Sequence, residues 1–233
     1  MRRVLFCILV LVGIIGISPV YATLLTNTAI STAQFTAIAG APVVPACCIG
    51  NIFDYDPPTL GSDGVVYSQV FNGIGAASGL FVYIYQIDHY SQSSEEEVGG
   101  ISFDFRTNPT LTAVAGIGTS FVISSGPVPP PPAAPFVAGS VSTTFADWTG
   151  GAISFGGSPP VPWIDNGQQS YVFGTFSPLP PMLVIADVLD TGSTIASAKV
   201  YSPVPEPGTL ILLGFGLVGL AGYGKFVISR RKK

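Results

Sequence analysis

The sequence predicts an all-β fold, an antiparallel β-sandwich with a jelly roll or barrel as the alternative arrangement. Three observations predict it. Short runs rich in β-branched and aromatic residues recur through the middle of the chain, as at Val65–Phe71 and Leu80–Ile87. Gly and Pro, 28 and 21 of the 233 residues, punctuate these runs and supply turns. No stretch of residues 23–203 sustains the 3.6-residue apolar period of an amphipathic helix.

The segment Ala29–Ala39 fits neither template. Val65–Phe71 and Leu80–Ile87 are separated by Gly73, Gly75 and Gly79, and Leu80–Ile87 is apolar on both faces, as a central strand would be. Ile101, Phe103 and Phe105 alternate with Ser102, Asp104 and Arg106, the two-residue period of a half-buried strand. The polar stretch Ser91–Glu97 reads as a loop that joins this strand to Leu80–Ile87 as an antiparallel pair. Further strands are expected at Ser120–Ile123, Val137–Phe145, Ala152–Phe155, Ser170–Phe176, Met182–Leu189 and Ile195–Tyr201. Six prolines fall within Pro127–Pro135, where no central ladder can form. This segment reads as a long connection between sheets rather than a boundary between two subdomains.

The two ends differ from the middle. Arg2 and Arg3 precede an apolar run from Val4 to Ile17, then Pro19 and small or tolerated residues up to Ala22. This is the pattern of a secretory signal peptide over residues 1–22, cleaved between Ala22 and Thr23 after delivery to the Sec translocon. Near the other end, an apolar run opens at Thr209. Residues 209–228 form an expected transmembrane helix, about 30 Å long at 1.5 Å per residue. Lys225 falls where its stem can snorkel, and Arg230, Arg231, Lys232 and Lys233 form a basic stop-transfer cluster. The positive-inside tendency puts that cluster in the cytoplasm and residues 23–202 outside.

Charge divides the same way. Only 9% of the chain is charged, against about 25% in ordinary soluble domains. Seven of the nine cations lie in the two ends, so residues 23–203 carry twelve acidic residues against Arg106 and Lys199, a net charge of −10. Such a surface excludes nucleic-acid binding, which needs clustered cations. The low charge density also excludes a charged disordered tail.

Val204-Pro205-Glu206-Pro207-Gly208-Thr209, a Gly-punctuated Leu-rich run and a basic cluster follow in order. Together they resemble a PEP-CTERM sorting signal over about residues 203–233. The resemblance implies an exported bacterial protein processed by an exosortase-type membrane enzyme, with exopolysaccharide as a further partner. The sorting and processing motif would be Val204, Pro205, Glu206 and Pro207. Each proline removes an N–H and fixes φ, which keeps the strip extended. Glu206 is costly in hydrocarbon and marks the water side of the boundary. Gly214, Gly216, Gly219 and Gly222 leave a small-residue face for close helix contact in the membrane.

Chemistry elsewhere is sparse. His89 is the single histidine, expected at a partly exposed strand end, and no G-x-S-x-G elbow occurs. Asp54 and Asp56 flank Tyr55, and Asp187 lies near Asp190, but no EF-hand loop is present. Zinc would need more soft ligands than Cys47, Cys48 and one His supply. Trp163, in a Pro-rich stretch, could stack on sugar, whereas Tyr83 and Tyr85 read as core. The resulting expectation is a non-enzymatic structural or adhesive β-domain without a cofactor. One alternative is a carbohydrate-binding module with ligand contacts at Trp163, Asp54 and Asp56, Ca²⁺-dependent or not. Another is a secreted hydrolase.

Overall fold

A computed structural model describes residues 23–25, 27–43, 49–55, 62–90, 97–104, 111–125, 136–137, 139, 145–149, 152–156, 164–190 and 194–203. Among them are thirteen strands and one α-helix. The strands are β1 (Thr23–Leu25), β2 (Asn27–Ser31), β3 (Ala39–Pro42), β4 (Ile49–Phe53), β5 (Gly64–Gly73), β6 (Phe81–His89) and β7 (Val98–Asp104). They continue with β8 (Ser120–Ser125), β9 (Phe145–Thr149), β10 (Ala152–Gly156), β11 (Val172–Ser177), β12 (Pro181–Asp190) and β13 (Ile195–Pro203). The order is β1-β9-β10-β7-β12-β13 in a six-stranded sheet and β2-β8-β11-β6-β5-β3 in a seven-stranded one, where β4 also pairs with β5. All strand pairs are antiparallel except β2 with β8, which is parallel.

The interior between the sheets sets large side chains against small ones. Phe53, Tyr83, Tyr85 and Phe173 of the seven-stranded sheet meet Ala186, Val188, Ala196, Ala198 and Val200 of β12 and β13. This size complementarity lets two faces interdigitate at interior density. A second core lies on the other face of the seven-stranded sheet, where Val82, Ile84, Phe121 and Phe176 are covered by Phe35, Ile38, Val114, Ile117 and Phe136. Strand β6 therefore feeds two cores: Tyr83, Tyr85 and Ile87 point one way, Val82 and Ile84 the other. That is why its sequence is apolar on both faces from Phe81 to Tyr85.

The helix α1 (Thr32–Ile38) resolves the ambiguous segment. Ser31 and Gln34 form a capping box: the Gln34 N–H donates to Ser31 Oγ and the Ser31 N–H to Gln34 Oε1 at 2.8 Å. With only seven residues, α1 is too short to show a sustained period.

The expected pairing of β6 with β7 needs correction. Ser91–Glu97 does not close a hairpin, because β6 lies in the seven-stranded sheet between β11 and β5 while β7 pairs with β10 and β12 in the other. Both ladder edges of β6 are occupied, so β7 has no edge of it to join. Of the strand expected at Val137–Phe145, residues 138 and 140–144 lie outside the described residues; Val137 is outside any strand and bonded to Gln86, and β9 begins at Phe145. Strands β1, β3 and β4 were not marked by alternation. The strands before and after the Pro127–Pro135 segment interleave in both sheets, as in β6–β11 and β7–β10, so the segment connects parts of one two-sheet unit.

Candidate sorting site and the exit of the last strand

The last described strand is fixed on both sides. In β13, Tyr201 pairs with Leu183 and Pro203 with Pro181 of β12. Across the interior, the Ser68 hydroxyl of β5 accepts the Tyr201 N–H at 3.1 Å, and the Tyr85 hydroxyl of β6 donates to Tyr201 O at 2.7 Å. The neighbouring Tyr83 hydroxyl donates to Leu179 O, 2.6 Å away, in the loop that enters β12. Burial pushes both phenols well above their ordinary pKa, so these donors stay protonated. Ser202 and Pro203 are buried. The end of β13 is thus a rigid point of departure.

Residues in strands leave this point with a definite direction. Ser177 of β11 pairs with Phe81, and four residues later β12 begins at Pro181 beside Pro203. The turn from Gly73 to Leu80 lies at this end too, with Gly75 and Gly79 at positive φ values of 56° and 82°. At the opposite end, Gly64 pairs with His89, Val98 with Asp190, and Ile164 with Val98.

The other sequence candidates fall as follows. Thr23 opens β1 and pairs with Trp148. Ala22, Asp56, Trp163, Val204, Pro205, Glu206, Pro207, Arg230, Arg231, Lys232 and Lys233 lie outside the described residues, as do Cys47 and Cys48. Asp54 is half-buried just beyond β4. Nearby, Asp63 Oδ2 accepts the Tyr55 N–H at 2.7 Å, which closes the β4–β5 connection.

His89 is not at a partly exposed strand end but fully buried, at 0% exposure. Its Nδ1 donates to Ile164 O over 3.2 Å, since a carbonyl only accepts. Asp88 precedes it in the same strand and so faces the other way. Burial raises the Asp88 pKa, against opposing contributions from the Gln169 side chain and His89. A buried imidazole facing away from its neighbouring carboxylate has the geometry of a packing residue. Asp187 and Asp190 are likewise not a pair: Asp187 is exposed, while Asp190 is buried and its Oδ1 accepts the Thr194 N–H at 2.6 Å in the β12–β13 turn. No group of three potential metal ligands occurs among the described residues, and no helix among them is long and apolar enough to cross a membrane.

The fold and its exit define a two-sheet β protein whose final strand leads without an intervening linker into a Pro-Glu-Pro strip and an apolar run. Residues 203–231 match the family model of the PEP-CTERM protein-sorting motif. The chain therefore carries the sorting motif that its residues resemble, which marks it as an exported protein sorted at the membrane by an exosortase-type enzyme. The match starts at Pro203, the last residue of β13. No curated protein and no solved structure matches the chain. The interior tie from Tyr85 and Ser68 to Tyr201 had no signal in the sequence, since a strand tyrosine reads as core whether or not its hydroxyl finds a carbonyl.

Proposed function

We propose that this protein is exported through the Sec route and held in the membrane by residues 209–228 with its basic cluster in the cytoplasm. It is then released by cleavage at or near Val204-Pro205-Glu206-Pro207, to serve at the cell surface or in the extracellular polysaccharide matrix. Its β-sandwich acts there as a structural or adhesive module without catalytic chemistry. The observation that supports this reading best is the sorting motif at residues 203–231, which begins where the last strand ends. Pro205 and Pro207 each remove an N–H and fix φ, which disfavours a helix through the strip, and the strip follows directly on a strand end that Tyr85 anchors at Tyr201.

The test is the mass of the mature protein in a host that has the processing enzyme. The expected product begins at Thr23 and lacks the residues after the motif. An intact mass reaching Lys233 on the surface-exposed population would overturn the release step. Glu206→Ala should leave the uncleaved form in the membrane fraction.

A further inference from the structure

The two ends of the sandwich differ in charge. At the end where β13 departs, the described segments 38–43, 72–82, 111–120, 177–184 and 200–203 contain no Asp, Glu, Lys, Arg or His. At the opposite end lie Asp54, Asp63, Asp88, Glu97, Asp165 and Asp190. Asp104, Asp147 and Asp187 occupy the middle of the six-stranded sheet. The ends are nine residue steps apart along both β5 and β12, about 30 Å at 3.3 Å per step. That is several times the Debye length of about 8 Å at physiological ionic strength.

The described segments of this end are also apolar where they meet solvent, whereas the exposed Ile52 and Ile195 of the opposite end lie among its carboxylates. Ile74 is 44% exposed, Met182 44% and Leu183 50%. Pro178 and Pro180 are exposed beside them. Lys199, the one cation among the described residues, is exposed four residues before Pro203.

We propose that this end is a membrane-docking rim: Ile74, Met182 and Leu183, with Pro178 and Pro180, rest in the headgroup region of the bilayer into which the chain is anchored. The inference rests on the anchored-precursor reading above. The length of chain beyond β13 selects a lipid surface as the occupant. Thr209, where the apolar run opens, lies six residues beyond Pro203, and six residues span at most about 20 Å even when fully extended. The rim therefore stays within reach of the bilayer for as long as the anchor remains. Its composition fits that position. Apolar side chains gain by leaving water at the interface, whereas a carboxylate there would be desolvated and repelled by anionic headgroups. The acidic end points away, where its charge repels neither lipid nor the approach to the strip.

The test uses the full-length gene product, expressed in a host that lacks an exosortase, purified and reconstituted into vesicles of phosphatidylethanolamine and phosphatidylglycerol. Leu183→Trp and Ile74→Trp probe the rim and Asp165→Trp the opposite end, each read against the unsubstituted protein to remove the Trp148 and Trp163 signal. The two rim variants should shift their emission to the blue and lose intensity when brominated lipids are included, and Asp165→Trp should do neither. A protein that does not float with the vesicles overturns the anchored reading and this inference with it. Co-flotation with no lipid quenching at either rim position overturns docking alone. A blue shift that grows with the protein-to-lipid ratio and resists brominated lipid places a second copy on the rim, and also overturns docking.

Discussion

The Tyr85 hydroxyl reaches across the interior from β6 and donates to the Tyr201 carbonyl at 2.7 Å, two residues before the sorting motif begins at Pro203. Tyr201 lies in β13, an edge strand of its own sheet, and this bond ties that edge to the centre of the other sheet. Removing the hydroxyl leaves the carbonyl short of a donor in a buried setting. Tyr85→Phe should therefore cost about 1 to 2 kcal/mol of stability. The denaturant midpoint of the variant, compared at equal slope, measures it; an unchanged midpoint would mean that water replaces the phenol.

Gly174 lies in β11 between β6 and β8, where a Cβ would collide with Tyr83 O and meet the Phe121 ring 2.7 Å away. Backbone cannot yield as a flexible side chain can. Gly174→Ala should destabilise by about 1 to 3 kcal/mol, as overpacked interiors do. Thermal unfolding should show a lower midpoint, and a neutral result would require β11 to shift within its sheet.

Gln86 spends its whole amide on one clamp. Its Nε2 donates to Val137 O and Ser170 O, both at 2.9 Å, and its Oε1 accepts the Val137 N–H at 3.0 Å. The clamp fixes the chain just after the Pro127–Pro135 segment against the seven-stranded sheet. Gln86→Leu should strand the Val137 N–H and both carbonyls and cost about 2 to 3 kcal/mol. Limited proteolysis should then cut within residues 126–144 faster than in the unsubstituted protein, and equal cutting rates would remove the clamp from the account.

Asp88 gives stability a pH dependence of defined sign. Burial raises its pKa above 3.8, so the folded state holds the proton more tightly than the unfolded chain does. The stabilisation is fully present below 3.8 and is lost as pH rises through the folded pKa. Asp88→Asn should remove this decline, so the stability difference between variant and parent should move in the variant's favour as pH rises above 3.8. Parallel stability curves for the two proteins across that range would refute the assignment.

Much of the strand content was legible because it rests on local chemistry. The segment Leu80–Ile87 is apolar on both faces, and its residues do feed two cores. Met182–Leu189 and Ile195–Tyr201 fall inside β12 and β13 to within two residues at each end. Five-residue β4 and three-residue β1 lacked a pattern long enough to count. The helix α1 was hidden by its length, although Ser31 and Gln34 carry the capping-box spacing. His89 was misplaced because exposure is not a local property: Ile164, 75 residues away, covers it.

The sequence by itself determined the sorting motif at residues 203–231, the strand-rich middle and a net charge of −10 over residues 23–203. These follow from composition, period and short-range spacing. Which strands share a sheet, that β6 and β7 lie in different sheets, and that six of the nine acids among the described residues lie at one end while β13 ends at the other were decided by the tertiary structure. Those outcomes depend on pairing registers between residues far apart in the chain and on which faces pack together. A one-residue slip in any register would turn the same residues to the opposite face.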